Sequence, residues 1–307
     1  MALTRSLTVL LGLLLSSSVF SEQMYSPLCY KDRPNKREVI LLGVNHALRY
    51  QPHPNGVMEN LIDNSNLVFF ENTEVLPKDG IFRIKMAFPE EAKQPVRLDR
   101  FVEPQDMPKL SQLFGTSYSP ETSIPLAAVC IFVDSILARK LVQTAESNDS
   151  YKGNPFSQVI GSHNVESASY AYALANKVQV RDLETVSEMF GVPEFPAIKK
   201  EIGRVIECAQ SNACMQEYKA HFDKRIAYFF TDTESSYDNM YQISVNDPGT
   251  MRATLIPRNE RMAYRLLTLL PKEKKALVIV GAAHIGGPDG LAAKLESANF
   301  VKVKCKP

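Results

Sequence analysis

Short runs of apolar residues in this chain are bounded by charges on one side and by glycine on the other. Arg37 and Glu38 lead into ValIleLeuLeu and Gly43, and two lysines at 274–275 lead into AlaLeuValIleVal and Gly281. A continuous apolar run of this kind is typical of a strand buried on both faces. A loop rich in Gly or Pro, a short helical segment and another apolar strand follow each run. The pattern therefore predicts two strand–helix–strand units, one near each end of the chain.

A third and weaker unit lies in the middle of the chain. It comprises an apolar strand ending at Gly161, a helical segment AlaSerTyrAlaTyrAlaLeuAla, and a strand LysValGlnValArgAsp that leads to Glu184. Units of this length favour parallel strands joined by right-handed crossovers. The predicted fold class is therefore α/β, with a central mixed, largely parallel sheet covered by helices.

Three further segments have helical character. The stretch 125–141 is apolar but is interrupted by three charged residues, so we predict a buried core helix there and not a membrane span. Residues 197–230 are amphipathic and broken near two close cysteines. Residues 257–270 predict a helix that begins at its proline, with Arg258 and Asn259 in the first turn. No long low-complexity linker separates these segments, which favours a single domain.

The N-terminus has the pattern of a secretory signal peptide. Arg5 precedes an apolar run over residues 7–15, and small residues continue to Ser21. We expect residues 1–21 to be removed, which predicts a secreted or periplasmic protein without a stable membrane span; an uncleaved anchor is the alternative. The mature domain would then span residues 22–307.

Charge and motif content exclude several classes of protein. The chain has 35 Lys and Arg against 34 Asp and Glu, which argues against a nucleic-acid binder because such proteins need clustered cations. It contains no HExxH, GxSxG or GxxxxGK[ST] motif. Zincin, serine-hydrolase and P-loop mechanisms therefore lack their characteristic parts.

Cysteine usage is consistent with export, where disulfides persist. Cys208 and Cys214 are close enough in sequence to form a small local loop. Cys29 and Cys305 flank the first and last apolar strands, which we expect to be neighbours in the sheet. Cys130 lies in an apolar helical segment and is expected to be a buried free thiol. The sequence leaves the connectivity open.

Candidate catalytic residues follow the predicted strands. His46 and His284 each lie three positions after a glycine, beyond the carboxyl end of a strand, where α/β proteins commonly bind ligands. Glu71 follows LeuValPhePhe, and a buried carboxylate is costly unless a metal, a cation or a donor network compensates it. These residues predict a metal or acid–base site. The alternative is two unrelated hydrogen-bonded histidines and a structural salt bridge.

Other polar residues are candidates to support this site. Arg258 is predicted either to anchor Glu71 or to hold a substrate oxygen through its planar fork, or else to be a surface charge. Asn259 is a supporting residue or a helix cap. Glu184 occupies the place in its unit that Glu71 has in the first, and it either supports the site or stabilises a neighbouring loop. The supporting set is Gly43, Glu184, Asn259 and Gly281.

Taken in order, these features resemble the TraB/PrgY/GumN family, which includes the Tiki proteases. The matching elements are Gly43-Val-Asn-His46, the strand ending in Glu71, Gly161 with the helix and AspLeuGlu184 that follow, Arg258-Asn259 and Gly281-Ala-Ala-His284. Signal peptide and length are most similar to the bacterial GumN-type branch. The resemblance implies duplicated halves, at about residues 37–145 and 155–305, and relatives among erythromycin-esterase-like and haem-binding lipoprotein folds.

The same resemblance implies a site built on His46, Glu71 and His284 with Arg258 nearby. By analogy with Tiki, it implies peptide hydrolysis that depends on a divalent metal such as Mn, Co or Zn. Two alternatives are a metal-independent esterase-like hydrolase with His46 as general base, and a non-catalytic protein that binds a peptide or haem. In each case the expected partner is a peptide or a small molecule, and not a nucleic acid.

Overall fold

The computed structural model describes residues 26–44, 56–73, 95–114, 123–125, 165–185, 188–189, 195–220, 235–246, 251–272 and 274–305. The strands are β1 (Leu28–Asp32), β2 (Arg37–Val44), β3 (Leu67–Phe70), β4 (Pro95–Arg97), β5 (Ser123–Pro125), β6 (Gln179–Asp182), β7 (Lys275–Gly281) and β8 (Val301–Val303). The helices are α1 (Val57–Asp63), α2 (Met107–Phe114), α3 (Val165–Ala175), α4 (Phe195–Gln210), α5 (212–220), α6 (Ser235–Val245), α7 (Met251–Leu269) and α8 (Leu291–Ser297).

Six strands form the central sheet, in the order β6-β3-β7-β2-β1-β8. Strands β6, β3, β7 and β2 are mutually parallel, whereas β1 is antiparallel to both of its neighbours, β2 and β8. The predicted fold class is confirmed, because the sheet is mixed, largely parallel and covered by helices. Strands β4 and β5 form a separate two-stranded sheet that the sequence did not reveal.

The central strands are buried on both faces because successive side chains point to opposite sides of a strand. Ile40 and Leu42 of β2 pack with Met58 and Ile62 of α1. Alternate residues of β2 and β7 instead pack with α7 and α8 on the other face. The connection from β2 to β3 crosses β7 towards one edge of the sheet. The connection from β7 to β8 crosses β2 and β1 towards the other edge. Right-handed connections in opposite directions place α1 and α8 on opposite faces.

Strand β1, which was not predicted from the sequence, determines how two of the cysteines pair. Cys29 lies in β1, which separates β2 from β8, so the first and last predicted strands are not neighbours. Cys29 and Cys305 nevertheless form a disulfide, because β1 pairs directly with β8. Cys208 of α4 and Cys214 of α5 form a second disulfide across the junction of these two helices, which agrees with the predicted local loop. Cys130 lies outside the described residues.

Helix α7 corrects another expectation, since it begins at Met251 and contains Pro257 within its body. The sequence prediction started the helix at that proline, which is a common first residue. Proline inside a helix removes one backbone hydrogen bond. Here the helix continues on both sides because Leu255 and Met262 are buried. Arg258 and Asn259 are therefore interior helical residues, and Asn259 is not a helix cap.

Several predictions fall on parts of the chain that are not described. The signal peptide over residues 1–21 and most of the helical stretch 125–141 are among them, although Pro125 itself ends β5. The strand before Gly161 is also outside the described residues. Within the residues that the structure describes, no helix has both the length and the apolar character needed to cross a bilayer.

Candidate functional site

The carboxyl ends of the four parallel strands meet at one edge of the sheet. Phe70 at the end of β3 is in register with Ile279 of β7 on one side and with Asp182 of β6 on the other. Val44 at the end of β2 is in register with Gly281 at the end of β7. The segments that follow these strands therefore start side by side, at the edge where α/β proteins bind ligands.

Glu71 is the first residue after β3, and only 1% of its surface is exposed. Its Oε1 accepts a hydrogen bond from the backbone N–H of Gly281 at 2.5 Å. Its Oε2 accepts one from Nη2 of Arg258 at 2.9 Å. Both carboxylate oxygens thus receive donors from distant parts of the chain. These donors compensate the cost of burying the charge.

Arg258 is shared between Glu71 and a second carboxylate, Glu184. Its Nε and Nη2 donate to Oε2 of Glu184 at 2.9 Å and 2.7 Å. Glu184 is fully buried two residues after β6, and its backbone N–H donates to the carbonyl of Glu71 at 2.8 Å. The two strand ends are therefore held together by a backbone contact and by one guanidinium.

The environment shifts the ionisation of this group of side chains. Burial raises the pKa of the Glu184 carboxyl above its ordinary value, although the charge and hydrogen bonds of Arg258 act in the opposite direction. For Arg258, burial alone would lower the pKa. The Glu71 and Glu184 carboxylates outweigh that effect and raise the pKa of the guanidinium. Arg258 is consequently a permanent positive charge at the sheet edge.

Helix α7 aims its polar residues at this edge because of its register. Arg258 lies four residues before Met262, and Asn259 lies four residues before Ala263. Met262 and Ala263 are buried against the sheet. Residues four apart lie on the same face of a helix. Both side chains are therefore directed to the carboxyl ends of the strands.

His284 ends a short 3₁₀ turn, Ala282–His284, that directly follows β7. Its ring is buried, and Nδ1 lies 2.6 Å from Oδ1 of Asn259. Its other nitrogen, Nε2, lies 3.7 Å from Oε1 of Glu71. An imidazole nitrogen and a carboxylate oxygen thus approach each other at a place closed from solvent. Such a pair can hold a metal ion or exchange a proton.

Gly43 is the second-last residue of β2, and its backbone N–H donates to the hydroxyl of Tyr237 at 3.1 Å. That hydroxyl in turn donates to the carbonyl of Ser26 at 2.8 Å. A Cβ added at Gly43 would lie 2.3 Å from Cε1 of Tyr237 and 2.9 Å from Cα of Ala282. The glycine is therefore required by the close approach of helix α6 and the turn after β7.

Of the site residues predicted from sequence, the structure brings together Glu71, Glu184, Arg258, Asn259, Gly281 and His284. His46 lies outside the described residues, and its position relative to His284 stays a prediction. Within the described ranges no cluster of three potential metal ligands occurs. The described part of the site therefore supplies two potential ligands, Glu71 and His284.

Three residues near the site were not anticipated. Asn72, directly after Glu71, donates through Nδ2 to the carbonyl of Glu184 at 2.8 Å. Arg261 lies one helical turn after Arg258, with Nη2 3.7 Å from Oε1 of Glu184. The adjacency of Asn72 and the helical spacing of Arg261 were signals in the sequence. No signal in the sequence pointed to Tyr237, because this residue is far in sequence from Gly43, which it contacts.

The chain matches a known protein family over most of its length. The model of the TraB/PrgY/gumN family matches residues 30–302, which is nearly the whole chain. The matched range includes every element that contributes to the site described above. No curated protein matches the chain.

Proposed function

Because this chain belongs to the TraB/PrgY/gumN family, we propose that it is a hydrolase that cleaves peptide or other amide or ester bonds with a divalent metal. The observation that carries the proposal is the approach of His284 Nε2 to Glu71 Oε1 at 3.7 Å, with both side chains buried. His46 is the proposed third ligand. It follows β2 by two residues, and β2 ends in register with the end of β7.

The donor set fits a divalent first-row ion. Imidazole nitrogen and carboxylate oxygen bind Zn at about 2.0–2.2 Å, so two such ligands at a tetrahedral angle lie about 3.4 Å apart. The observed 3.7 Å between Nε2 and Oε1 is close to this separation. Two buried carboxylates, Glu71 and Glu184, share the buried guanidinium of Arg258, and Glu184 also lies 3.7 Å from the partly exposed Arg261; a cation bound beside Glu71 would give that carboxylate a second positive partner. Mn, Co and Zn all suit these ligand types.

When bound, the ion would polarise the scissile carbonyl and acidify a water molecule. The protein residues have separate proposed roles. Glu71 is the proposed carboxylate ligand, held in place by Arg258 and by the backbone of Gly281. Arg258 uses Nε and Nη2 for the carboxylates, which leaves Nη1 to stabilise the developing oxyanion. Glu184 fixes the plane of the guanidinium.

Location outside the cytoplasm is part of the same proposal. The predicted signal peptide supports it, and so do the disulfides Cys29–Cys305 and Cys208–Cys214. Disulfides of this structural kind are rare in reducing compartments and common in secreted proteins. Fractionation of cells that produce the full chain, with N-terminal sequencing of the exported form, tests this part. A cytoplasmic protein that retains residues 1–21 would contradict it.

The activity is tested with a peptide panel read by mass spectrometry. Purified protein should cleave some peptides, lose activity with a chelator and recover it with Mn, Co or Zn. His46→Ala, Glu71→Gln and His284→Ala should each lower kcat/KM by at least about 100-fold, because each removes a metal ligand. If His46→Ala or His284→Ala is as active as the parent, the proposal is wrong.

A matched control is available at the opposite end of the sheet. Asp32 is a buried carboxylate that pairs with Arg37 at 2.5 Å, as Glu71 pairs with Arg258. Asp32→Asn removes a similar charge from a similar environment but lies far from the carboxyl ends of the parallel strands. It should leave kcat/KM within about threefold of the parent.

A metal-independent hydrolase is a second candidate, and one observation favours it. Both oxygens of Glu71 already accept hydrogen bonds, from Gly281 and from Arg258, so the carboxylate is oriented without a metal. In this case a histidine would act as general base and Glu71 would orient it. Elemental analysis of an active preparation separates the candidates, since activity in metal-free protein rejects the first. A peptide that is retained but uncleaved after long incubation rejects both and favours a binding protein.

A further inference from the structure

The hydroxyl of Tyr237 takes the place of one hydrogen bond in the ladder between β1 and β2. The antiparallel register sets Leu28 opposite Leu41. If it continued for two more residues on each strand, Ser26 would lie opposite Gly43. The backbone N–H of Gly43 instead donates to the Tyr237 hydroxyl at 3.1 Å, and that hydroxyl donates to the carbonyl of Ser26 at 2.8 Å. A side chain from helix α6 is thus inserted between two strands of the central sheet.

The inserted hydroxyl holds β1 and β2 apart at this point. Two atoms that bond to one oxygen at a tetrahedral angle lie roughly 5 Å from each other, whereas a direct N–H···O bond spans about 2.9 Å. The ring of Tyr237 fills the space beside Gly43, where an added Cβ would lie 2.3 Å from Cε1 of the ring. Gly43 is not in a left-handed conformation. Lack of space beside this tyrosine, and not backbone freedom, therefore requires a glycine here.

Helix α6 also ties Tyr237 to the turn that carries His284. Oδ1 of Asp238, the next residue of the helix, accepts a hydrogen bond from the backbone N–H of Gly287 at 2.8 Å. A Cβ added at Gly286 would lie 2.3 Å from the backbone carbonyl carbon of Tyr237. The helix therefore lies in direct contact with the backbone two and three residues after His284. The hydroxyl that bonds to the end of β2 is thus held by the turn that follows β7.

We propose that Tyr237 is a positioning residue that fixes the end of β2, at Gly43 and Val44, relative to the turn that carries His284. His46, the proposed third ligand, follows this end of β2 by two residues. The consequence for metal binding rests on the proposed function, whereas the inserted hydroxyl does not. Replacing a group that orients metal ligands without binding the metal typically weakens metal affinity about 10–100-fold.

The test compares Tyr237→Phe with Tyr241→Phe, a matched control one turn further along α6. Tyr241 is also buried, and its hydroxyl donates to Asp289 at 2.8 Å, a contact that lies outside the sheet. Amide hydrogen exchange of metal-stripped protein, read by NMR, should be at least about 100-fold faster at Gly43 in Tyr237→Phe than in the parent. The remaining phenyl ring still separates the strands, so no new acceptor replaces the hydroxyl. Exchange at Leu41 in both variants, and at Gly43 in Tyr241→Phe, should stay within about threefold of the parent.

Metal affinity gives a second readout that does not depend on turnover. Calorimetric titration with Zn should show binding about 10–100-fold weaker for Tyr237→Phe and within about threefold of the parent for Tyr241→Phe. Unchanged exchange at Gly43 in Tyr237→Phe, or Zn affinity equal to that of the parent, would overturn the inference. If Tyr237→Phe does not fold, a crystal structure of the parent decides. The tyrosine hydroxyl between Gly43 and Ser26 supports the inference, and a direct bond between these two residues rejects it.

The outcomes also distinguish this inference from the proposed function. Faster exchange at Gly43 in Tyr237→Phe, in a protein whose parent binds no Zn and cleaves no peptide, would support the inserted hydroxyl and refute the metal-dependent hydrolase. Chelator-sensitive cleavage by a parent whose Zn affinity and Gly43 exchange are both unchanged in Tyr237→Phe would do the reverse.

Discussion

Replacing Arg258 with methionine tests whether one guanidinium holds the sheet edge together. The change keeps much of the side-chain length but removes the only charge that touches both Glu71 and Glu184 in the described structure. The two carboxylates are 1% and 0% exposed, so water cannot replace the lost donors. Glu71 would keep the backbone N–H of Gly281, and Glu184 would keep Arg261 at 3.7 Å, but each would lose the guanidinium that is hydrogen-bonded to it.

The size of the effect follows from that burial. Removing one partner from a buried ion pair costs about 3–5 kcal/mol, because the remaining charge is left without a partner. Arg258 serves two such carboxylates through bonds of 2.7–2.9 Å, so we expect a loss near the upper end, about 4–5 kcal/mol. Arg258→Lys should cost less, about 2–3 kcal/mol, because one ammonium group can reach a carboxylate but cannot reproduce the planar fork.

Equilibrium unfolding in urea measures this loss, and helix α7 supplies a control. Arg265 pairs with Glu188, but both side chains are about 30% exposed, at 30% and 28%. Arg265→Met should therefore cost only about 1 kcal/mol. Adding Glu184→Gln to Arg258→Met should restore about 1–3 kcal/mol, because it removes one of the two buried charges that lost a hydrogen-bonded guanidinium. A loss below about 1 kcal/mol for Arg258→Met, or no restoration, would show that the guanidinium does not hold the two carboxylates in the interior.

Three further predictions concern stability. Gly43→Ala should lower the free energy of unfolding by about 1–3 kcal/mol, because its Cβ would overlap the ring of Tyr237. Cys29→Ser with Cys305→Ser should cost about 2–5 kcal/mol, because the disulfide closes a loop of 276 residues in the unfolded chain. Glu188→Gln should cost about 1–2 kcal/mol at neutral pH, and urea unfolding at several pH values should show this difference shrinking in acid.

The sign of the acid effect follows from the direction of the shift. Burial alone would raise the pKa of Glu188, but hydrogen bonds from Arg265 and Thr185 lower it to about 2 from an ordinary value of 4.5. A carboxylate with a lowered folded-state pKa stabilises the protein above its unfolded-state pKa. That contribution is lost as the pH falls from about 4.5 to about 2. A difference that is unchanged across this range would contradict the assignment.

Controls for the other two substitutions lie within the same chain. A Cβ added at Gly203 in α4 meets nothing within 4 Å, so Gly203→Ala should stabilise the protein by about 0.5–1 kcal/mol. Equal losses at Gly43 and Gly203 would reject the steric argument. Cys208→Ser with Cys214→Ser opens a loop of only 6 residues and should cost less than opening the long loop.

The sequence was most informative where burial and periodicity act together. Strands β2 and β7 are continuous apolar runs because helices cover both of their faces, and the glycines at their ends are visible in the sequence. Strand β1 was missed because its segment, LeuCysTyrLysAsp, carries two charges. Asp32 is nevertheless buried, because the antiparallel register sets it opposite Arg37. A pattern of apolar residues cannot reveal such a pairing.

The candidate site was only partly accessible to sequence reasoning for the same reason. Glu71 and His284 were recognisable by their position after apolar strands. The sharing of Arg258 by Glu71 and Glu184 depends on strand order, in which β3 lies between β6 and β7. The contact between Gly43 and Tyr237 joins residues 194 positions apart. Local patterns carry no signal for contacts of that range.

The proposed function requires His284 and Glu71, together with His46, to bind one divalent ion. Anomalous scattering from crystals grown with Mn or Zn tests it most directly. We expect one strong peak about 2.0–2.3 Å from Nε2 of His284 and from a carboxylate oxygen of Glu71, with the ring of His46 as a third ligand. A fully active crystalline protein with no peak between these side chains, or with His46 directed away from them, would contradict it.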